Sequence, residues 1–357
     1  MKINRCIFYI LLLFSLLLVY FILFYIYHYY GDSIDNIDNI DNYNTKVKQK
    51  IFTTKQLVYN KKNKEEEKDC YFLSSRGILK SCDVYSTYPE SSIKYVKDTN
   101  FNNLKNKSVI YVCSSALKDF SKNHLPKIKT PFILVSGDCD ESVPNDIFNK
   151  KEFEDFINSE KIIHWYSQNF IMSHPKVTGI PIGLDYHTMS VNQSHDWGKQ
   201  LSPLKQEKIL MSIMSESKPF YERELKAYSN FHFLLNSQDR KDAIKKIPRE
   251  LVYYEPNKIN RLDSWKNQIK YAFVISPHGN GLDCHRTWEA LCLGCIPIVK
   301  TSSIDYLFKD LPVLIVNEWS DVSLKKLSET VELFKTMNFN KNRLTLNYWV
   351  NIIKSHL

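Results

Sequence analysis

The chain has 357 residues, 43% of them hydrophobic and 13% aromatic, with a net charge of +9, a length that fits two domains with a sizeable core. No basic run has the density of a nucleic-acid groove, so nucleic acid is excluded as an expected partner. Between residues 31 and 69 eight acidic and eight basic side chains cancel, so most of the excess falls on residues 70–357, where a mild positive field suits an anionic ligand such as a nucleotide.

From Cys6 to Tyr27 every residue is apolar or aromatic except Ser15. Such a run spans a bilayer core and is too long for a signal-peptide apolar region. Lys2 and Arg5 precede it, and Tyr25, Tyr27, Tyr29 and Tyr30 lie at its far end. Positive charge stays cytoplasmic and Tyr prefers the interface. Residues 1–30 are therefore expected to be a cytoplasmic tip and a single-pass, type II anchor. The remainder would face the Golgi or ER lumen in a eukaryotic cell. "GDSIDNIDNIDNYN" and "KKNKEEEKD" follow. They are too polar to fold alone, so residues 31–69 read as a disordered stem.

The head begins near Cys70. "SVIYVCS" (108–114), "PFILVSG" (131–137), "KIIHWYS" (161–167) and "VTGIPIG" (177–183) read as strands, and "NKKEFEDFINSE" as a helix. Alternation of this kind predicts a parallel α/β layer over residues 70–200. A second set is expected over 201–357. There "KILMSIMS" reads as a strand, "KPFYERELKAYS" as a helix, "RKDAIKKI" as a helix and "ELVYYEP" as a strand. "NRLDSWKNQIKY" reads as a helix, and "AFVISP", "IPIVK" and "PVLIV" as strands before a final helical region. The linker falls near "SHDWGKQLSP" (194–203). Cys70 and Cys82 are close enough in sequence to pair, no cysteine set has zinc spacing, and Asn106 and Asn192 head glycosylation sequons.

The densest chemistry lies in "SPHGNGLDCHRTWEALCLGCIPIV" (276–299). Pro and two Gly end the strand in a loop. "CHRTWEALCL" reads as a helix, with Asp283 as its N-cap and Gly294 as its left-handed C-terminal residue. Ligands of parallel sheets bind at the carboxyl ends of strands, and a Gly-rich loop with a helix N-terminus favours phosphate. Ser276, His278, Gly279, Asn280, Gly281 and Asp283 are thus candidate donor-binding residues. Arg286 would add a planar cation for a diphosphate. Glu289, one turn on, would accept two ribose hydroxyls. Arg223, in "KPFYERE", is a further candidate for the diphosphate.

Residues 271–316 resemble the C-terminal half of the exostosin-like glycosyltransferases, which carry a strand, a His/Gly loop, an R-x-x-E-A helix and then G-C-x-P-[IV]. Here these are "SPHGNGLD", "RTWEALCLGCIPIV" and "LPVLIV". The resemblance implies a GT-B type α/β fold: two Rossmann-like domains with parallel sheets, preceded here by the anchor and stem. It implies a UDP- or GDP-sugar donor on the second domain, a glycan or glycoprotein acceptor on the first, no metal or other cofactor, and inversion with a general base from the first domain. In "TGIPIGLDYHT" that base is Asp185 or, second, His187. An alternative is the D-x-D of "FILVSGDCDES", in which Asp138 and Asp140 would hold Mn²⁺ as in the metal-dependent GT-A transferases. Another is a glycan-binding protein without turnover. No G-x-S-x-G supports a serine hydrolase, and no phosphosulfate-type loop supports a sulfotransferase.

Overall fold

The computed structural model describes residues 67–231 and 237–357. The expected anchor and most of the stem lie outside them. Residues 67–69, assigned to the stem on sequence, belong to the head. They form a single turn whose Glu67 is buried and ion-paired with Lys80. Among the described residues no helix is long and apolar enough to cross a membrane.

The first lobe opens with α1 (Ser75–Lys80) and carries β1 (Ser108–Cys113), β2 (Phe132–Gly137), β3 (Ile162–Ser167) and β4 (Val177–Gly179). These pair in parallel in chain order. β2 is buried along its whole length, as a strand covered on both faces must be. Phe120, Phe153 and Phe156 cover one face, the latter two from α2 (Lys150–Ile157), whose Asn149 and Glu152 form a reciprocal capping box. A short α3 (His187–Val191) and a two-strand hairpin at 194–199 lead out of the lobe.

Two expected elements are exchanged in kind. "KILMSIMS" is the body of a helix, α4 (Pro203–Glu216), and "ELKAYS" is the strand β5 (Glu224–Ser229). Ser202 accepts the Lys205 amide at the helix start and Pro203 fills its first turn. Gln206, Leu210 and Ile213 then recur on the buried face at helical spacing. β5 reads as helical by its charges, but it pairs on both sides, and that pairing overrides local preference.

The second lobe continues with α5 (Gln238–Lys246), β6 (Val252–Tyr254), α6 (Arg261–Gln268), β7 (Tyr271–Ile275), α7 (His285–Cys292), β8 (Ile296–Lys300), β9 (Leu314–Val316) and α8 (Leu324–Thr336). Its sheet is parallel, in the order β9-β8-β7-β5-β6. Gly294 closes α7 at φ +72°, the left-handed position where glycine escapes the Cβ penalty.

The last helix, α9 (Leu346–Lys354), returns to the first lobe. Its Leu346, Trp349 and Ile353 pack with α1 and with Val109, Tyr111, Ile133 and Val135 on the remaining sheet face. Among the described cysteines no disulfide forms, and the expected Cys70–Cys82 bond is absent. These two do not pair because each is buried in a different apolar cluster. Asn106 and Asn192 are exposed.

Candidate active site

From β5 the chain winds to one edge of the second sheet, and from β7 to the other. The crevice beyond the carboxyl ends of these two strands is the switch point at which doubly wound sheets hold ligands. The loop 276–284 lies there, tied to α5. The His278 amide donates to Asp239 (2.8 Å) and Ser237 Oγ donates to the His278 carbonyl (3.1 Å). Burial pushes the His278 imidazole below its ordinary pKa. Gly279 N donates to Gly281 O (3.0 Å), closing the loop on itself.

Two guanidinium groups converge on adjacent carbonyls of this loop. Arg286 Nη1 donates to Pro277 O (3.1 Å) while the group lies 5.4 Å from the Phe231 ring centre. Arg240 Nε donates to His278 O (3.3 Å). Burial lowers the pKa of both, and at Arg240 the charge of Arg286 adds to it. Two cations held together at the first turn of α7 make a place for an anion.

Other expected donor residues are engaged elsewhere. The Ser276 hydroxyl is buried against Thr287 (2.8 Å). Asn280 is exposed, its amide 3.4 Å from Asp140 on the first lobe. Gly281 is one place where the lobes approach closely, for a Cβ there would sit 3.0 Å from the Asp140 carbonyl. Asp283 does not cap α7, since Cys284 holds that position without a side-chain bond. Its carboxylate is drawn instead to the amide of Ile182 (2.7 Å) and to Trp288 Nε1 (2.7 Å), and its own amide donates to Asn169 (3.0 Å). It is a buried clamp between lobes, and burial pushes its pKa up to about 6.

Glu289 is not presented to a ribose. Arg261 binds one of its oxygens and Trp265 Nε1 donates to the other at 2.9 Å. Arg223 lies at the opposite end of the sheet, because it precedes β5 instead of following it. There it donates to the Leu293 carbonyl (3.0 Å) and ties down the end of α7.

Packed against α7 is a cluster of titratable groups. Asp185 is buried and receives the amide (2.9 Å) and hydroxyl (2.7 Å) of Thr188. Burial alone would raise its pKa, but His187, His285 and Arg261 hold it well below the usual carboxylate range. His187 Nδ1 lies 3.1 Å from Asp185 Oδ1, and burial lowers its pKa against the opposing pull of Asp185. His285, in the first turn of α7, packs edge-on to His187 with ring centres 6.4 Å apart. Arg261 also bonds the Asp185 carbonyl and Gln206 Oε1 (3.0 Å), so one side chain joins both lobes to α4 and α7.

The D-x-D pair does not act together. Asp138 is buried and ion-paired with Arg76 (2.9 Å), with Ser91 Oγ donating to it (2.9 Å), while Asp140 is exposed toward Asn280. Among the described residues no three His, Cys, Asp or Glu side chains gather as a metal site. Arg240 and His285 escaped the sequence reading. His285 stands beside Arg286 in the motif, a signal that could have been used. Arg240 sits in an ordinary charged helix and reaches the site only through the fold.

No family model matches the sequence. No curated protein matches it. Distant likenesses occur among solved structures. One is an alpha,alpha-trehalose 6-phosphate synthase from Burkholderia multivorans, at 11% identity and TM-score 0.35, over 71% of this chain and 72% of that one. Another is a trehalose-6-phosphate protein from E. coli bound with UDP-2-fluoro glucose, at 10% identity and TM-score 0.31, over 71% of each chain. A third is a UDP-forming alpha,alpha-trehalose-phosphate synthase from Burkholderia xenovorans in complex with glucose-6-phosphate, at 9% identity, TM-score 0.30 and 71% of each chain.

Proposed function

We propose that this chain is a glycosyltransferase of GT-B type that moves a sugar from a UDP- or GDP-sugar to a glycan or glycoprotein acceptor. The observation that carries the reading is the convergence of Arg240 and Arg286 at the switch point, beside an α7 whose first-turn His285 packs against His187 of the His187–Asp185 pair. The two arginines and the α7 N-terminus would hold the diphosphate and stabilise the charge it gains as it leaves. His187 Nδ1 lies 3.1 Å from Asp185 Oδ1 without the alignment of a hydrogen bond, and a proton held there would leave Nε2 as the basic nitrogen. That nitrogen takes the acceptor hydroxyl proton, the freed oxygen bonds to the anomeric carbon, and the carbon–phosphate-oxygen bond breaks with inversion. Asp185 orients His187; its depressed pKa suits a fixed anion better than a base.

In this reading the cations are supplied by side chains and no metal is needed. The apolar run Cys6–Tyr27 would anchor the enzyme as a type II membrane protein with a lumenal head. The test is direct. The full-length protein is titrated with UDP and GDP by calorimetry, then assayed for nucleoside diphosphate release from UDP- and GDP-sugars. Binding of one nucleotide at micromolar affinity is expected, and failure to bind either overturns the reading.

A further inference from the structure

We propose that the groove beneath residues 86–99 binds a pyranose ring of a neutral glycan. The groove lies at the carboxyl end of β1 and is lined by Tyr88, Tyr95, Tyr111 and Asp138, with Glu90 and Lys97 at its rim. Its roof is fixed: the Ser92 amide donates to the Asp138 carbonyl (2.9 Å), and the Val96 amide to Asp119 (2.8 Å).

Three observations select the ligand. Tyr88 and Tyr95 are large aromatics left 71% and 57% exposed beside the groove, so their rings are available to stack on a ligand. Their flat faces match the C–H face of a pyranose. The Tyr111 hydroxyl is buried and has no hydrogen-bond partner, although Tyr111 lines the groove. A buried donor without a partner costs free energy, so a ligand that opens a path to this hydroxyl would gain that hydrogen bond. The charges of the groove are answered from within: Glu90 pairs with Lys97 at 2.7 Å and Asp138 with Arg76 at 2.9 Å. A ligand therefore needs hydroxyls and an apolar face, and gains nothing from a charge of its own.

The groove also leads toward the chemistry. Asp138 and Arg76 both act on the charge of His187, so a sugar stacked on the tyrosines lies on the His187 side of the first lobe. The role of acceptor site rests on the transferase reading above; the binding itself does not.

The experiment uses full-length protein and a panel of neutral, unbranched oligosaccharides in saturation-transfer NMR. At least one sugar is expected to show ring-proton saturation. Tyr88→Ala and Tyr95→Ala should each weaken its binding about tenfold, the loss of one stacked aromatic contact. Tyr111→Phe removes only the orphan hydroxyl, so it should melt no lower than the native chain while also losing sugar affinity. UDP and GDP affinity should be unchanged in all three variants. A panel with no binder, or a binder indifferent to all three substitutions, overturns the proposal. Sugar binding without nucleotide binding keeps the groove and discards the transferase; nucleotide binding with groove-independent sugar binding does the reverse.

Discussion

His285 Nδ1 lies 2.7 Å from the carbonyl oxygen of Gly183, a residue 102 positions earlier and on the other lobe. A carbonyl only accepts, so Nδ1 carries the proton and the contact fixes both the ring orientation and the tautomer. His285→Ala should therefore loosen the cleft as well as alter its charge. Turnover is expected to fall with a shifted pH–rate profile, whereas His285→Asn, which can still donate to Gly183, should retain the native profile more closely.

The base assignment separates two measurements. His187→Gln should lower transfer about 10²- to 10⁴-fold, the usual worth of a general base, with UDP or GDP affinity unchanged. Asp185→Asn should lower it less if Asp185 only orients. A larger loss in Asp185→Asn than in His187→Gln would return the role of base to the carboxylate.

At the anion site, Arg240→Ala and Arg286→Ala should each weaken nucleoside diphosphate binding by about 2–5 kcal/mol, the range for a desolvated charge pair losing one partner. Calorimetry on both variants checks this. Unchanged affinity in both would remove the diphosphate from the switch point. If side chains supply the cations, as proposed, activity should also survive EDTA; loss on chelation with rescue by Mn²⁺ would bring Asp138 and Asp140 back into play.

Glu289→Ala should act on stability more than on nucleotide choice. It leaves Arg261 buried without its carboxylate, a change worth about 3–5 kcal/mol for a broken buried pair. Denaturant unfolding at neutral pH measures the loss. A native midpoint combined with altered UDP against GDP preference would restore the ribose role read from the sequence.

Asp283 gives the pH prediction. Burial raises its folded pKa to about 6, above its ordinary unfolded value near 4. The group therefore contributes stability that is fully present below pH 4 and lost as pH rises through 6, on the order of 2–3 kcal/mol. His164 runs the other way, since burial and His356 lower its pKa to about 4. It contributes stability present above its ordinary pKa near 6.5 and lost as pH falls toward 4. The difference between native and Asp283→Asn unfolding curves from pH 4 to 7 isolates the first slope. Parallel curves across that window would contradict it.

Much of this was legible in the sequence. The four strands of the first lobe, α7 and its terminal Gly294 announce themselves through apolar runs and turn chemistry that act over a few residues. The exchange of α4 and β5 shows the limit: "KILMSIMS" has the residues of a strand, and only the cap at Ser202 and the burial of Gln206, Leu210 and Ile213 reveal its face. The site divides in the same way. Arg286 stood out as a candidate because its motif is local. Asp283 and Glu289 were seen but misread, because their partners Ile182 and Arg261 lie 101 and 28 residues away. Arg240 carries no local signature at all.

The return of α9 to the first lobe means that the polypeptide passes between the lobes twice, once near residue 200 and once before Leu346. A body on one tether can swivel in any direction; a body on two turns about the line that joins them, like a door on a pair of hinges. Any opening between the lobes would thereby be channelled into a single rocking axis. Each closure would return His187 to the same side of the arginine pair, and cutting the chain at the linker alone would not yield two separable halves.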